Sequence, residues 1–262
     1  MTPFVAAVPS GAVLADVRYP ADGSPGRRAH EAGHLPGAVF VDLDAVLAGP
    51  PGPQGRHPLP DPARFARDLG ALGIGDGDAV VAYDDAGGVF AARLVWLLRA
   101  TGRDAALLDG GLTAWTGPRE AGAVARPARG LTPVDWPADR LVDLDGAAAA
   151  AAAGALVDAR PGERVRGEVP DVDPRRGHVP GATSLPCREH VGPDGRLLPD
   201  DVLRARLLDA GWREGVVSSC GSGVTACHTL LVAERLGLPP GRLWVGSWSQ
   251  WAATGRPAAT GA

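Results

Sequence analysis

The residue best placed for chemistry is Cys220, in Val216-Val217-Ser218-Ser219-Cys220-Gly221-Ser222-Gly223-Val224-Thr225-Ala226-Cys227-His228, where an apolar run breaks into a glycine-rich turn before a helical pattern. Glycines at 221 and 223 let the backbone curl so that successive N–H groups point inward, and the following helix adds its positive end. Such a loop stabilises an anion on the Cys220 sulfur. Cysteines at helix N-termini ionise readily, and the thiolate is the nucleophilic form.

The elements that must position this loop come from a sequence that repeats itself, and a repeat decides the fold before anything else does. Leu14-Ala15-Asp16-Val17-Arg18 echoes Leu156-Val157-Asp158-Ala159-Arg160, and Gly33-His34-Leu35-Pro36-Gly37-Ala38 echoes Gly177-His178-Val179-Pro180-Gly181-Ala182. The segment 80–89 matches 215–224, which aligns Asp85 with Cys220, and 110–115 matches 246–251. The repeat predicts a first domain over 1–120, a Pro-, Gly-, Ala- and Arg-rich linker over 121–140, and a second domain over 141–262. The alanine run 147–153 reads as a helix, with Asp145 as its start signal and Gly154 as its stop. Asp61-Pro62 reads as an N-cap followed by proline at the first helical position, with Phe65, Leu69 and Leu72 on one face; Leu203, Leu207 and Ala210 repeat the pattern. Between these helices lie short apolar runs at 13–17, 79–83, 155–159 and 216–219. Strands alternating with helices imply an α/β fold, two tandem domains each with a largely parallel sheet flanked by helices and with its reactive loops at the carboxyl ends of strands.

Bulk properties exclude several classes of function. The 262 residues are 45% hydrophobic and 21% charged, the balance of a packed globular chain. With 26 basic residues against 30 acidic ones and no basic block, nucleic acid is not an expected partner. All the basic residues are arginine, which excludes lysine Schiff bases and lysine-dependent phosphate loops. No cationic segment precedes the modest apolar stretch of residues 1–15, and no apolar run of about 18 residues follows. No membrane contact is therefore expected, and the expected location is cytoplasmic. Three cysteines without a Cys-x-x-Cys pair argue against a disulfide framework or structural zinc. No cofactor and no metal is implied.

The loop Cys-Gly-Ser-Gly-Val-Thr-Ala at 220–226, the Gly-His-x-Pro-Gly-Ala of both copies, and Gly246-Ser247-Trp248-Ser249-Gln250-Trp251 make nearly the whole chain resemble the rhodanese-like sulfurtransferases. Among these it is most similar to the tandem-domain 3-mercaptopyruvate sulfurtransferases. The resemblance implies a catalytically inert first domain, consistent with Asp85 aligned to Cys220. It also implies that the Cys220 thiolate takes sulfur from 3-mercaptopyruvate, releasing pyruvate, and passes the persulfide to cyanide or a thiol such as reduced thioredoxin. Gly221, Ser222, Gly223, Val224 and Thr225 would line the substrate site, with the Ser222 and Thr225 hydroxyls able either to bond the donor or to cap the helix. Arg164 aligns with the family's substrate-binding arginine, a side chain suited to clamping carboxylates. A second arginine that the resemblance places nine residues on is Asp173 here, with Arg175 and Arg176 nearest to it. Thiosulfate-using relatives carry cations after the cysteine, whereas Gly221 and Ser222 are neutral and favour mercaptopyruvate. His34 is a relay candidate for the loop serine.

Other readings compete. A cysteine phosphatase needs Cys-x5-Arg, and position 226 is alanine. A thiosulfate:cyanide sulfurtransferase and a non-turnover persulfide carrier share the cysteine chemistry and stand as alternatives. Asp16 and Asp158, each two residues before an arginine, read as strand-end ion pairs. Cys187 and Cys227 read as core, as do Trp115, Trp248 and Trp251.

Overall fold

Runs of small and β-branched apolar residues form the strands, most of them buried along their length as in a parallel sheet covered on both faces. The computed structural model describes residues 1–19 and 26–261. Its chain divides into two units, one of Met1–Gly49, Leu59–Trp136 and Val191–Leu197, the other of Pro50–Pro58, Pro137–His190 and Leu198–Ala262.

The first unit contains β1 (Phe4–Val5), β2 (Val13–Asp16), α1 (Gly26–Ala32), β3 (Val39–Phe40), α2 (Leu43–Val46), α3 (Pro62–Ala71), β4 (Val80–Tyr83), α4 (Ala92–Ala100) and β5 (Ala105–Leu108). The second contains β6 (Leu141–Val142), α5 (Leu144–Ala152), β7 (Leu156–Asp158), α6 (Gly162–Val165), β8 (Thr183–Ser184), α7 (Asp200–Asp209), β9 (Val217–Ser219), α8 (Ala226–Arg235), β10 (Arg242–Trp244) and α9 (Ser247–Ala252). Each unit builds a five-stranded sheet, in the orders β1-β5-β4-β2-β3 and β6-β10-β9-β7-β8, with every pairing parallel. The α/β architecture of two repeats is the one predicted.

Strand register refines the alignment of the copies. Asp16 lies opposite Tyr83, and Asp158 lies opposite Ser219. The residue that follows the central strand is therefore Asp84 in the first unit and Cys220 in the second, so Asp84, not Asp85, is the counterpart of the cysteine. The backbone agrees: Leu112 N–H donates to Asp84 O at 2.9 Å, as Trp248 N–H does to Cys220 O at 3.0 Å. The loop from Asp84 to Ala91 is two residues longer than that from Cys220 to Thr225, which displaced the sequence match by one.

Local signals act largely as expected. Asp61 caps α3 by accepting from Arg64 N–H at 2.8 Å, with Pro62 in the first turn. The alanine helix starts earlier than expected, because Asp143, not Asp145, accepts from Gly146 N–H at 2.8 Å. Asp16–Arg18 and Asp158–Arg160 are buried ion pairs at 2.7 and 2.6 Å. Each arginine also donates to the carbonyl of the glycine opening the Gly-His-x-Pro-Gly-Ala turn, Gly33 or Gly177, at 2.8 Å. Trp244, Trp248 and Trp251 pack with Ala147, Leu156 and Val217 in the core of the second unit, and Cys187 and Cys227 are also buried.

Candidate active site

Cys220 sits at the carboxyl end of β9 and is 2% exposed. Its loop is held by the segment entering α9. The Cys220 N–H donates to Ser247 Oγ at 3.1 Å, and Gly221 O accepts from Ser249 N–H at 2.8 Å. Gly223 turns the chain at φ +73°, where a Cβ would come within 2.3 Å of Val245 O, so only glycine fits. Ser247 has φ +50°, a strained value for a residue with a side chain, and its hydroxyl donates to Trp244 O at 2.8 Å. At the matching position the first unit has Gly111, φ +48°.

The first unit shows what such a loop binds. The Asp84 carboxylate accepts from Ala86 and Gly88 N–H at 2.8 and 2.7 Å, and from Phe90 and Ala91 N–H at 2.8 and 3.0 Å. Burial pushes the Asp84 carboxyl above its ordinary range, and these four bonds pull against burial.

Three arginines approach the cysteine loop. Arg160 is 1% exposed, bonds Asp158 and Gly177 O, reaches Asp171 at 3.2 Å and lies over the Trp248 ring at 4.8 Å. Arg164 pairs with Asp171, its Nε 3.3 Å from Oδ2, and Arg56 pairs with Asp173. Burial raises the Asp171 carboxyl, but the Arg164 bond and the charges of Arg164 and Arg160 outweigh it and hold the group low. A methyl group on Gly221 would lie 3.2 Å from Arg56 Nη2 and 3.7 Å from Arg164 Nη2. Of the other arginines considered from sequence, Arg175 donates to the carbonyls of Trp251, Ala252 and Arg256 around the end of α9, and Arg176 is exposed.

Ser222 Oγ lies 2.7 Å from Nδ1 of His57. His34 is elsewhere: in the first unit, fully buried, stacked on His30 at 4.0 Å and with Nδ1 2.9 Å from His30 O. The histidine next to the loop serine is thus His57, not His34. Thr225 stands at the N-cap of α8 without a side-chain cap bond, its hydroxyl instead bonding the Cys187 thiol, which burial pushes up to about 12. Val224 is buried. Among the described residues no three His, Cys, Asp or Glu side chains group as metal ligands. Sequence reasoning missed His57, Arg56 and Ser247. The first two lie far from the cysteine in sequence, and only Ser247 left a trace, as a serine where the other copy has glycine.

Paired parallel sheets, with a cysteine loop at the end of a central strand in one of them, define a class. The chain belongs to the rhodanese-like domain family, whose model matches residues 5–118 and 139–254. It is 45% identical over 255 residues to a Pseudomonas aeruginosa protein provisionally named a 3-mercaptopyruvate sulfurtransferase, covering 92% of this chain and 89% of that one. A Mycobacterium tuberculosis protein, provisionally named a thiosulfate sulfurtransferase, is 38% identical over 253 residues, 91% and 87% of the two chains. The crystal structure of the 3-mercaptopyruvate sulfurtransferase SseA from Escherichia coli superposes with a TM-score of 0.80 at 32% identity, covering 92% of this chain and 94% of that one. No helix among the described residues is long and apolar enough to cross a membrane.

Proposed function

We propose that the protein is a sulfurtransferase that moves sulfur from 3-mercaptopyruvate to a thiol or cyanide through a persulfide on Cys220. The observation that carries this reading is the equivalence of Cys220 and Asp84. Where one unit fixes a carboxylate with four backbone N–H groups, the other presents a sulfur in the shorter loop of the same kind. A carboxylate cannot carry sulfur, so the first unit is non-catalytic.

In the first half-reaction the Cys220 thiolate attacks the donor sulfur. A S–S bond forms, the C–S bond breaks, and its electron pair passes to the enolate of pyruvate. One proton from the donor thiol balances the one the enolate takes up, leaving a Cys220 persulfide anion. An acceptor thiolate or cyanide then attacks the outer sulfur and restores the thiolate. The loop amides from Gly221 to Thr225 stabilise the sulfur anion in the manner of an oxyanion hole. Negative charge grows on the donor carbonyl oxygen as the enolate forms, and Ser222, sharing a proton with His57, is the group that donates to it. Arg164 binds the donor carboxylate. A thiol such as reduced thioredoxin fits as acceptor, and the three free cysteines fit a reducing, cytoplasmic setting.

The M. tuberculosis relative favours a second reading, in which thiosulfate is the donor. Pyruvate release from 3-mercaptopyruvate with a thiol acceptor, measured beside thiosulfate-dependent thiocyanate formation, separates them through kcat/KM. Preference for mercaptopyruvate, abolished in Cys220→Ser, is expected. A single turnover without an acceptor-driven steady state would identify a carrier, and activity surviving in Cys220→Ser would overturn the mechanism.

A further inference from the structure

Building on that reading, we infer that Arg56 is the second cation of the donor site: with Arg164 it binds the carboxylate of an α-keto acid donor beside Gly221.

Three observations converge. Arg56 Nη2 and Arg164 Nη2 are the polar atoms nearest to where a side chain at position 221 would stand, one residue from the cysteine. Arg160, the third arginine, is sealed at 1% exposure, whereas Arg164 and Arg56 are 27% and 32% exposed and within reach of a ligand from solvent. Their aspartates, at 1% and 4%, lie deeper than the guanidiniums they hold. A guanidinium has five N–H donors, and Asp173 takes Arg56 through Nη1, so Nη2 faces Gly221 with donor capacity left for an incoming carboxylate.

Placement is equally specific. The segment 50–58 belongs to the second unit and is closed on itself by Gly52 and Gly55, which exchange backbone bonds at 3.1 and 2.9 Å. It is tied to α9 by Gln250 Nε2 donating to Pro53 O at 3.2 Å. One serine links the arginine to the loop: Ser249 Oγ accepts from Arg56 N–H at 3.1 Å, and Ser249 N–H donates to Gly221 O at 2.8 Å. The aspartate at 173 thus has a role, because its carboxylate aims a guanidinium that comes from another segment. One Asp173 oxygen is buried with no hydrogen-bond partner among the described residues, so Arg56 is what offsets that charge.

The test uses two donors that differ only at the carboxylate, 3-mercaptopyruvate and mercaptoacetone. Arg56→Gln, made alone and together with Asp173→Asn so that no buried carboxylate loses its partner, is expected to lower kcat/KM for mercaptopyruvate about ten- to a hundredfold. That is the worth of one charge-assisted hydrogen bond. Mercaptoacetone should be used within about twofold of the wild-type rate, the range of ordinary mutational noise, and Arg56→Lys should recover part of the loss. Binding of 3-mercaptopyruvate to Cys220→Ser, with and without Arg56→Gln, gives a readout independent of turnover and should weaken by the same factor. Equal losses with both donors, or unchanged binding, would overturn the assignment and leave Arg56 a structural partner of Asp173. If the wild type turned over neither donor, the sulfurtransferase reading would fall while the binding arm still decided Arg56.

Discussion

Ser247 shows how a single side chain holds the reactive loop. A left-handed conformation costs a residue with a Cβ about 1–2 kcal/mol, and at the matching place the first unit avoids that cost with Gly111. The serine persists in the strained state while its hydroxyl accepts from the Cys220 N–H and donates to Trp244 O. Ser247→Ala keeps the strain and leaves a buried N–H unpaired, so it should destabilise the second unit by about 1–3 kcal/mol and lower kcat. Ser247→Gly relieves the strain and should be more stable than the alanine variant by roughly 1 kcal/mol, yet just as impaired in turnover. Urea unfolding and pyruvate release on the pair would check this, and an alanine variant as stable and active as wild type would contradict it. At this scale the sequence is legible where chemistry is local. Cys220, its glycines and Ser222 sit in one run, and a turn followed by a helix marks them as a candidate site. His57 and Arg56 are not legible, because their role comes from a segment that returns to the loop only in three dimensions.

At the scale of elements, a strand running into a loop and then a helix is built twice with opposite contents. In the second unit Cys220 to Thr225 join β9 to α8; in the first, Asp84 to Ala91 join β4 to α4 around a carboxylate that is part of the protein. Removing that carboxylate strands several buried N–H donors at once. Asp84→Ala should cost the first unit on the order of 3 kcal/mol or more, while Asp84→Asn recovers part of it through its single carbonyl oxygen. Amide exchange along β4 and α4 would report the loss; protection unchanged in Asp84→Ala would mean the four bonds do not stabilise the loop. The strands of 80–83 and 217–219 could be read from their apolar runs, and α3 from its Asp-Pro start. The two-residue strands could not, since a pair of residues carries no period to detect. The one-residue slip between Asp84 and Asp85 has the same origin: sequence matching weighs residue types, while strand register fixes positions.

For the molecule as a whole, duplication is what the sequence carries most plainly, because each copy must rebuild the same sheet from the same turns. The assignment of 50–58 to the second unit and 191–197 to the first is invisible to the repeat, since neither segment has a counterpart among the shared landmarks. Acid response is a further whole-molecule property that one buried group biases. His190 is fully buried, stacked near His228 at 5.8 Å, and neither of its ring nitrogens has a hydrogen-bond partner among the described residues. Burial, with a smaller push from the charge of Arg206, holds it down to about 4 from an ordinary 6.5. The folded value lies below the unfolded one, so as pH falls below 6.5 the unfolded chain gains a proton that the folded chain refuses until about pH 4. Stability from keeping this imidazole neutral is therefore complete above pH 6.5 and is lost progressively toward pH 4. Between pH 7 and pH 4.5 the loss should be on the order of 2–3 kcal/mol at 1.36 kcal/mol per unit. His190→Leu cannot titrate and should flatten that part of the pH dependence, as read by hydrogen exchange at the amides of β9 and α8. Identical pH dependence in the wild type and His190→Leu would assign the acid sensitivity of the second unit to other groups.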